Sequence, residues 1–290
     1  METIINENYL REKYGEDYKN VAEYSLSDTK ISSLDPKTFS KLVNLKYLWL
    51  QNNQIRAIDS NTLSNLKNLI YLSLSNNQIS SIDIFRNLTQ LTQLSLSNNQ
   101  ISLIQANTFD DLTNLTYLTL SNNKIEKINR DAFKNLKNLT QLDLSNNQIE
   151  QIDPNSFDQL KNLTWLSIEH NQLSSIDQVT FSSQKNLTAL SLSHNQISSI
   201  DPNAFSQLKQ LTDLGLSNNQ ISSVDSKAFS QLIKLTWLSL ENNQIELINS
   251  STFKNLTNLT HLEFSHNKIS SVDPKAFSNL ANLVSLDLSH

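Results

Sequence analysis

The chain contains no cysteine, only two glycines and four prolines, and no apolar run near the roughly 20 residues of a membrane span. Each absence removes a class of protein. Without cysteine there is no disulfide framework and no thiolate metal site. The N-terminal METIINENYLREKYGEDYKN is charged and lacks the apolar run of a signal peptide. The formal charge of −5 is mild, and no basic stripe of the nucleic-acid-binding kind is visible. These absences predict a soluble protein made without export. It is cytoplasmic as the sequence stands, and secreted or surface-bound only if a leader has been removed.

Asn, Ser, Gln and Leu dominate what remains. Low-complexity chains this polar are often disordered, but here the apolar residues recur at fixed spacing, which disorder does not require. LTQLDLSNNQIEQID, from Leu139 to Asp153, has near-copies along the chain, such as LTDLGLSNNQISSVD. The template is LxxLxLxxNxIxxIDxxxFxxLxxL. Its Asn falls at Asn53, Asn77, Asn99, Asn123, Asn147, Asn171, Asn195, Asn219, Asn243 and Asn267, every step being 24 residues except the 22 from Asn77 to Asn99. A degenerate first copy places Thr29 in the Asn position, and the last copy, LVSLDLSH, stops one residue before its Asn. A fixed period in this range marks a solenoid.

The spacing resembles the leucine-rich repeat, specifically its 24-residue typical class, over about residues 21–290. The resemblance implies an α/β repeat solenoid, a curved horseshoe with a parallel sheet on its concave face and irregular or short helical convex segments. Residues 1–20 read as an N-terminal helical cap, with Gly15 as helix stop, and residues 21–290 as about 12 coils. Alternating leucines in LxLxx give a strand with one buried face. In the family the repeated Asn points inward and bonds backbone groups of its own and adjacent coils. Ile149 and Ile152, and their equivalents, fill the interior. The recurring Phe, from Phe39 to Phe277 with Leu63 substituting once, predicts an aromatic spine on the convex side. Pro36, Pro154, Pro202 and Pro274 each follow Asp and stiffen a turn.

Function must then lie in the columns that vary. Two strand columns are predicted to face the concave solvent, and between them they hold all three tryptophans: Trp49, Trp165 and Trp237. Tyr47, Tyr71, Tyr117, Asp143, Asp213, His261 and Glu263 share these columns. His170, His194, His266 and His290 sit just before the repeated Asn, and Glu169 and Glu241 one residue earlier. Trp and Tyr are favoured at binding hot spots, whereas aromatic side chains also suit strands without any partner. The second column is mostly Ser, so strand propensity is not maximised there, which favours binding. Two zones follow: an aromatic one around Tyr47, Trp49 and Tyr71, and a C-terminal one of acidic and aromatic side chains preferring cationic surfaces.

Other chemistry fits poorly. His170 and His194, one coil apart, could take Zn or Ni, but Asn and His simply share that column. No Ser sits in a nucleophile elbow, and the exposed carboxylates have no evident cause for a shifted pKa. The recurring N-L-T sequons follow from the template. No cofactor is implied. The expected function is a non-enzymatic binding module that takes a protein or peptide on its concave sheet, with no nucleic acid and no membrane span. About 12 coils at roughly 4.8 Å give an arc of about 55–60 Å, enough for a standard interface. The competing expectations are a structural protein that self-assembles through its uncapped C-terminal coil, and a scaffold segment of a longer chain. Without cysteine-bounded caps, the resemblance leans towards internalin-like or effector-type repeats.

Overall fold

The computed structural model describes residues 3–289, so His290 lies outside the described residues. Twelve three-residue strands, from Glu23–Ser25 to Ser285–Asp287, form one parallel sheet in chain order. Register never slips: Gln141 pairs with Trp165, Trp165 with Ala189, and Ala189 with Asp213. Equivalent residues of successive coils therefore stand in straight columns. The middle residue of each strand points inward, and Leu118, Leu142 and Leu166 are fully buried.

Every turn off the sheet leaves backbone groups without a strand partner, and the repeated Asn supplies them. Asn147 Nδ2 donates to the carbonyls of Leu120, Leu144 and Ser145 at 3.0, 3.1 and 3.2 Å. Its Oδ1 accepts the Ile125 N–H at 3.0 Å. Each Asn thus ties its own coil to the one before. The degenerate first coil uses Thr29, whose hydroxyl reaches the Leu26 carbonyl at 2.9 Å.

The residue just before this Asn has positive φ in every coil from Asn52 (59°) to His266 (55°). Asn and His are among the few non-glycine residues that tolerate the left-handed region. With only two glycines in the chain, they take the role.

On the convex side, Phe85, Phe109, Phe133, Phe157, Phe181, Phe205 and Phe229 stack face to face, with centroids 5.8–6.4 Å apart. Phe253 stacks on Phe277 at 6.0 Å and meets Phe264 edge to face. Asp residues cap the convex turns. Asp35 accepts the Thr38 N–H at the start of the one convex helix, Pro36–Phe39, with Pro36 in its first turn.

A second polar ladder runs along the edge where the chain enters the sheet. Asn114, Asn138, Asn162 and Asn186 each donate from Nδ2 to a carbonyl of the preceding coil, at 2.8–3.0 Å. Two residues on, Thr116, Thr140, Thr164 and Thr188 donate likewise at 2.9–3.1 Å. The N-L-T sequons at Asn114, Asn138, Asn162, Asn186 and Asn258 make this ladder, a role the template alone did not reveal.

At the N-terminal end, Asn6 caps the helix Glu7–Tyr14 and Gly15 (φ 83°) closes it by donating to the Arg11 carbonyl. A Cβ on Gly15 would meet nothing, so its backbone angle is the reason for glycine. The helix buries Leu10 against the first coil. Ahead of it, Thr3–Ile5 pairs in parallel with Ile31–Leu34, an element the sequence reading did not anticipate. At the other end, Val284 is 80% exposed and Leu286 39%.

Candidate protein-recognition face

The first concave column carries most of the exposed surface that varies. Tyr47 and Trp165 are each 37% exposed, while Tyr71, Tyr117 and Trp237 are half-buried. In-register pairing places Tyr47 beside Tyr71, and Asp213, Trp237 and His261 side by side. Tyr47 stacks on Trp49 with centroids 5.8 Å apart, and Trp49 leans on Tyr71 at 5.4 Å. The N-terminal zone is thus one continuous aromatic patch across two coils.

The second column behaves differently from the sequence expectation. Ser73, Thr119 and Ser167 are each only 4% exposed and Ser239 2%. At Gly215 an added Cβ would lie 2.9 Å from Ser193 Oγ and 3.0 Å from Ser191 Oγ. Concave curvature crowds this column, so its small residues are there to fit and to bond, as in the Ser97–Thr119 contact at 2.6 Å. Its serine content therefore does not argue for binding. Trp49, Asp143 and Glu263 are half-buried exceptions.

The carboxylates are anchored by hydroxyls and amides. Asp143 accepts from the Ser145 N–H at 3.0 Å and hydroxyl at 2.6 Å, and from Thr119 at 3.2 Å. Glu169 accepts from the Ser191 hydroxyl, Asp213 from Thr212, and Glu263 from Trp237 Nε1 at 3.2 Å. Asn242 donates to Glu241. None of the five is in a salt bridge among the described residues. Burial, with Asp143 nearby, raises the Tyr117 hydroxyl above its ordinary value. The result is a strip of oriented negative charge flanked by indole and phenol rings.

His170 and His194 stack with centroids 4.0 Å apart and planes 12° from parallel, and Asn218 lies 3.3 Å from His194 Nε2. Burial first, then the charge of His170, lowers the His194 pKa, while Glu169 opposes. Because the folded value is depressed, the folded state binds fewer protons. The stack's contribution is present above the ordinary value near 6.5 and declines as pH falls through it. Acidification from pH 7.5 to 5 is expected to open the stack and lower the melting temperature, and His194→Asn to flatten that local response. An unchanged His170–His194 contact in NMR spectra at pH 5 would contradict this. No group of three or more His, Cys, Asp or Glu side chains able to hold a metal occurs among the described residues.

The predicted residues form no single pocket; they are distributed along the sheet as the register dictates. Successive segments match the leucine rich repeat family model: 19–79, 80–125, 113–173, 161–221, 209–260 and 233–290. The chain is a leucine-rich-repeat protein. It carries the 24-residue typical repeat and has no cysteine-bounded caps. An internalin from Listeria monocytogenes is 28% identical, with a TM-score of 0.73 over 94% of this chain and 82% of its own. Toll, in its complex with Spatzle from Drosophila, is 27% identical with a TM-score of 0.82. The match covers 95% of this chain but only 39% of that one. A leucine-rich-repeat protein of Leptospira interrogans is 27% identical, with a TM-score of 0.69 over 93% of this chain and 73% of its own. No curated protein matches the sequence. Leucine-rich-repeat proteins are generally non-enzymatic binding modules, and these neighbours suggest protein–protein recognition. No described helix is long and apolar enough to cross a membrane.

Proposed function

We propose that this leucine-rich-repeat protein binds a protein or peptide on its concave sheet without catalysing a reaction. The Tyr47–Trp49–Tyr71 stack carries this reading, because it presents preorganised aromatic surface on a face that folding does not need to cover. Rigid aromatic anchors lose little entropy on binding and are typical hot spots. The anchored carboxylates from Asp143 to Glu263 add a preference for cationic partner segments.

Peptides selected against the wild-type chain from a displayed random library provide the probe. Substituting Tyr47, Trp49 and Tyr71 together with alanine is expected to weaken the selected peptides by about 30-fold or more, since a central hot spot is worth roughly 2 kcal/mol. Circular dichroism should be unchanged. Retained affinity would sink the aromatic zone.

A further inference from the structure

A broad open groove lies outside the concave columns. Its volume is about 970 Å³, and it runs across six coils, from Gln90 to Gln210, along the edge where each coil enters the sheet. Its walls are Asn, Thr and Gln only. Asn114, Asn138, Asn162 and Asn186 spend an amide hydrogen on the neighbouring coil, and the threonines two residues on spend their hydroxyl hydrogens the same way. What remains for a ligand is mostly acceptor: an Oδ1 and an Oγ1 with free lone pairs, once per coil.

Cations precede this row in the sequence, and none of them lines the groove itself. Four successive coils read KNLT, KNLT, KNLT and KQLT, placing Lys137, Lys161, Lys185 and Lys209 immediately before the groove's amides. The in-register strands four residues downstream put these lysines in one column. All four are exposed, and none is in a salt bridge among the described residues. Lys137 lines a smaller cavity on the convex flank. No basic stripe shows in the linear sequence because these lysines are 24 residues apart. The fold assembles one.

We infer that this groove is a binding site for an extended acidic polysaccharide, separate from the concave protein-binding face. Lysine ammonium groups pair with its carboxylates or sulfates, and the acceptor row takes its hydroxyl hydrogens. The coil-to-coil step, about 4.8 Å, is close to the length of one pyranose unit in an extended chain, so successive sugars meet equivalent groups. Two features favour this ligand over a single-stranded nucleic acid. The groove lining has no aromatic ring on which a base could stack, and a phosphodiester backbone offers few donors to a row of acceptors. The concave carboxylates Asp143, Glu169 and Asp213 repel a polyanion and confine it to the groove.

Isothermal titration with heparin and with oligogalacturonate, alongside neutral dextran, polyphosphate and poly(dT), tests the assignment on the full chain. Expected is binding of at least one acidic polysaccharide that weakens with added salt, and none of dextran. The variant K137Q/K161Q/K185Q/K209Q should lose about tenfold or more. K124Q/K227Q/K254Q/K275Q, with the same charge change on other surfaces, should stay within about twofold of wild type. Failure of both acidic polysaccharides at low salt overturns the inference. So does an equal loss in the control variant, or polyphosphate or poly(dT) binding as tightly as the sugars. The concave triple-alanine variant should bind the polysaccharide normally, so this result and that of the protein-binding test are independent.

Discussion

Asn147→Ala is expected to destabilise the chain by about 2–4 kcal/mol, although it removes only one small polar side chain. The mutation leaves the Ile125 N–H without a partner inside the solenoid and removes one of two donors from the Leu120 and Leu144 carbonyls, which keep Asn123 and Asn171. The buried orphan costs about 1–3 kcal/mol, and each bond lost from a carbonyl that keeps another donor costs about 0.5–1.5 kcal/mol or less. Two of the three groups belong to the preceding coil, so the damage falls on the interface between coils. Solenoid stability is a sum of coil and nearest-neighbour terms, and one weakened interface separates the halves. Denaturant unfolding should therefore broaden or split into two transitions. The adjacent Asn146→Ala provides the contrast. Asn146 is exposed at φ 53°, and alanine there costs about 1–2 kcal/mol through backbone strain alone. Equal losses at the two positions would refute the ladder's assigned role.

Phe157→Ala is expected to cost about 3–5 kcal/mol, the usual range for emptying a buried aromatic site. The ring is fully buried and stacks on Phe133 at 6.1 Å and Phe181 at 6.3 Å, so two ring contacts worth about 0.5–1.5 kcal/mol each go with it. Phe157→Leu should be far milder, at about 1–2 kcal/mol. The chain contains its own precedent, since Leu63 occupies the same template position and is fully buried. Chemical denaturation of both variants checks the ranking. A leucine variant as damaged as the alanine one would mean that ring stacking, and not volume, holds the convex side.

Most of the coil was readable from periodicity. The period of 24 set out the strands, the inward leucines and the Phe spine, because each template position has one physical task, while the inward Asn147 and its backbone bonds were implied by the family resemblance. What escaped the sequence depends on curvature and on distance between coils. The second strand column reads as exposed by alternation alone, yet concave bending closes it over Ser73, Ser167 and Gly215. The histidine column read as a contact surface, whereas its positive φ gives His170, His194 and His266 a backbone reason to be there. N-L-T looked like a by-product of the template until its side chains proved to bridge coils. Lys137, Lys161, Lys185 and Lys209 became neighbours only once the register was known. The aromatic patch was visible as composition, but the stacking of Tyr47, Trp49 and Tyr71 was not.

Hydroxyl-radical footprinting of the chain with and without a library-selected peptide tests concave recognition most directly, because indole and phenol rings are the side chains it reads best. Oxidation of Trp49, Tyr71, Trp165 and Trp237 is expected to fall on binding, while Leu103 and Leu247, exposed side chains outside the concave sheet, stay as reactive as before. Protection of Leu103 or Leu247 with the concave aromatics unchanged would show that the partner is held on the other side of the solenoid.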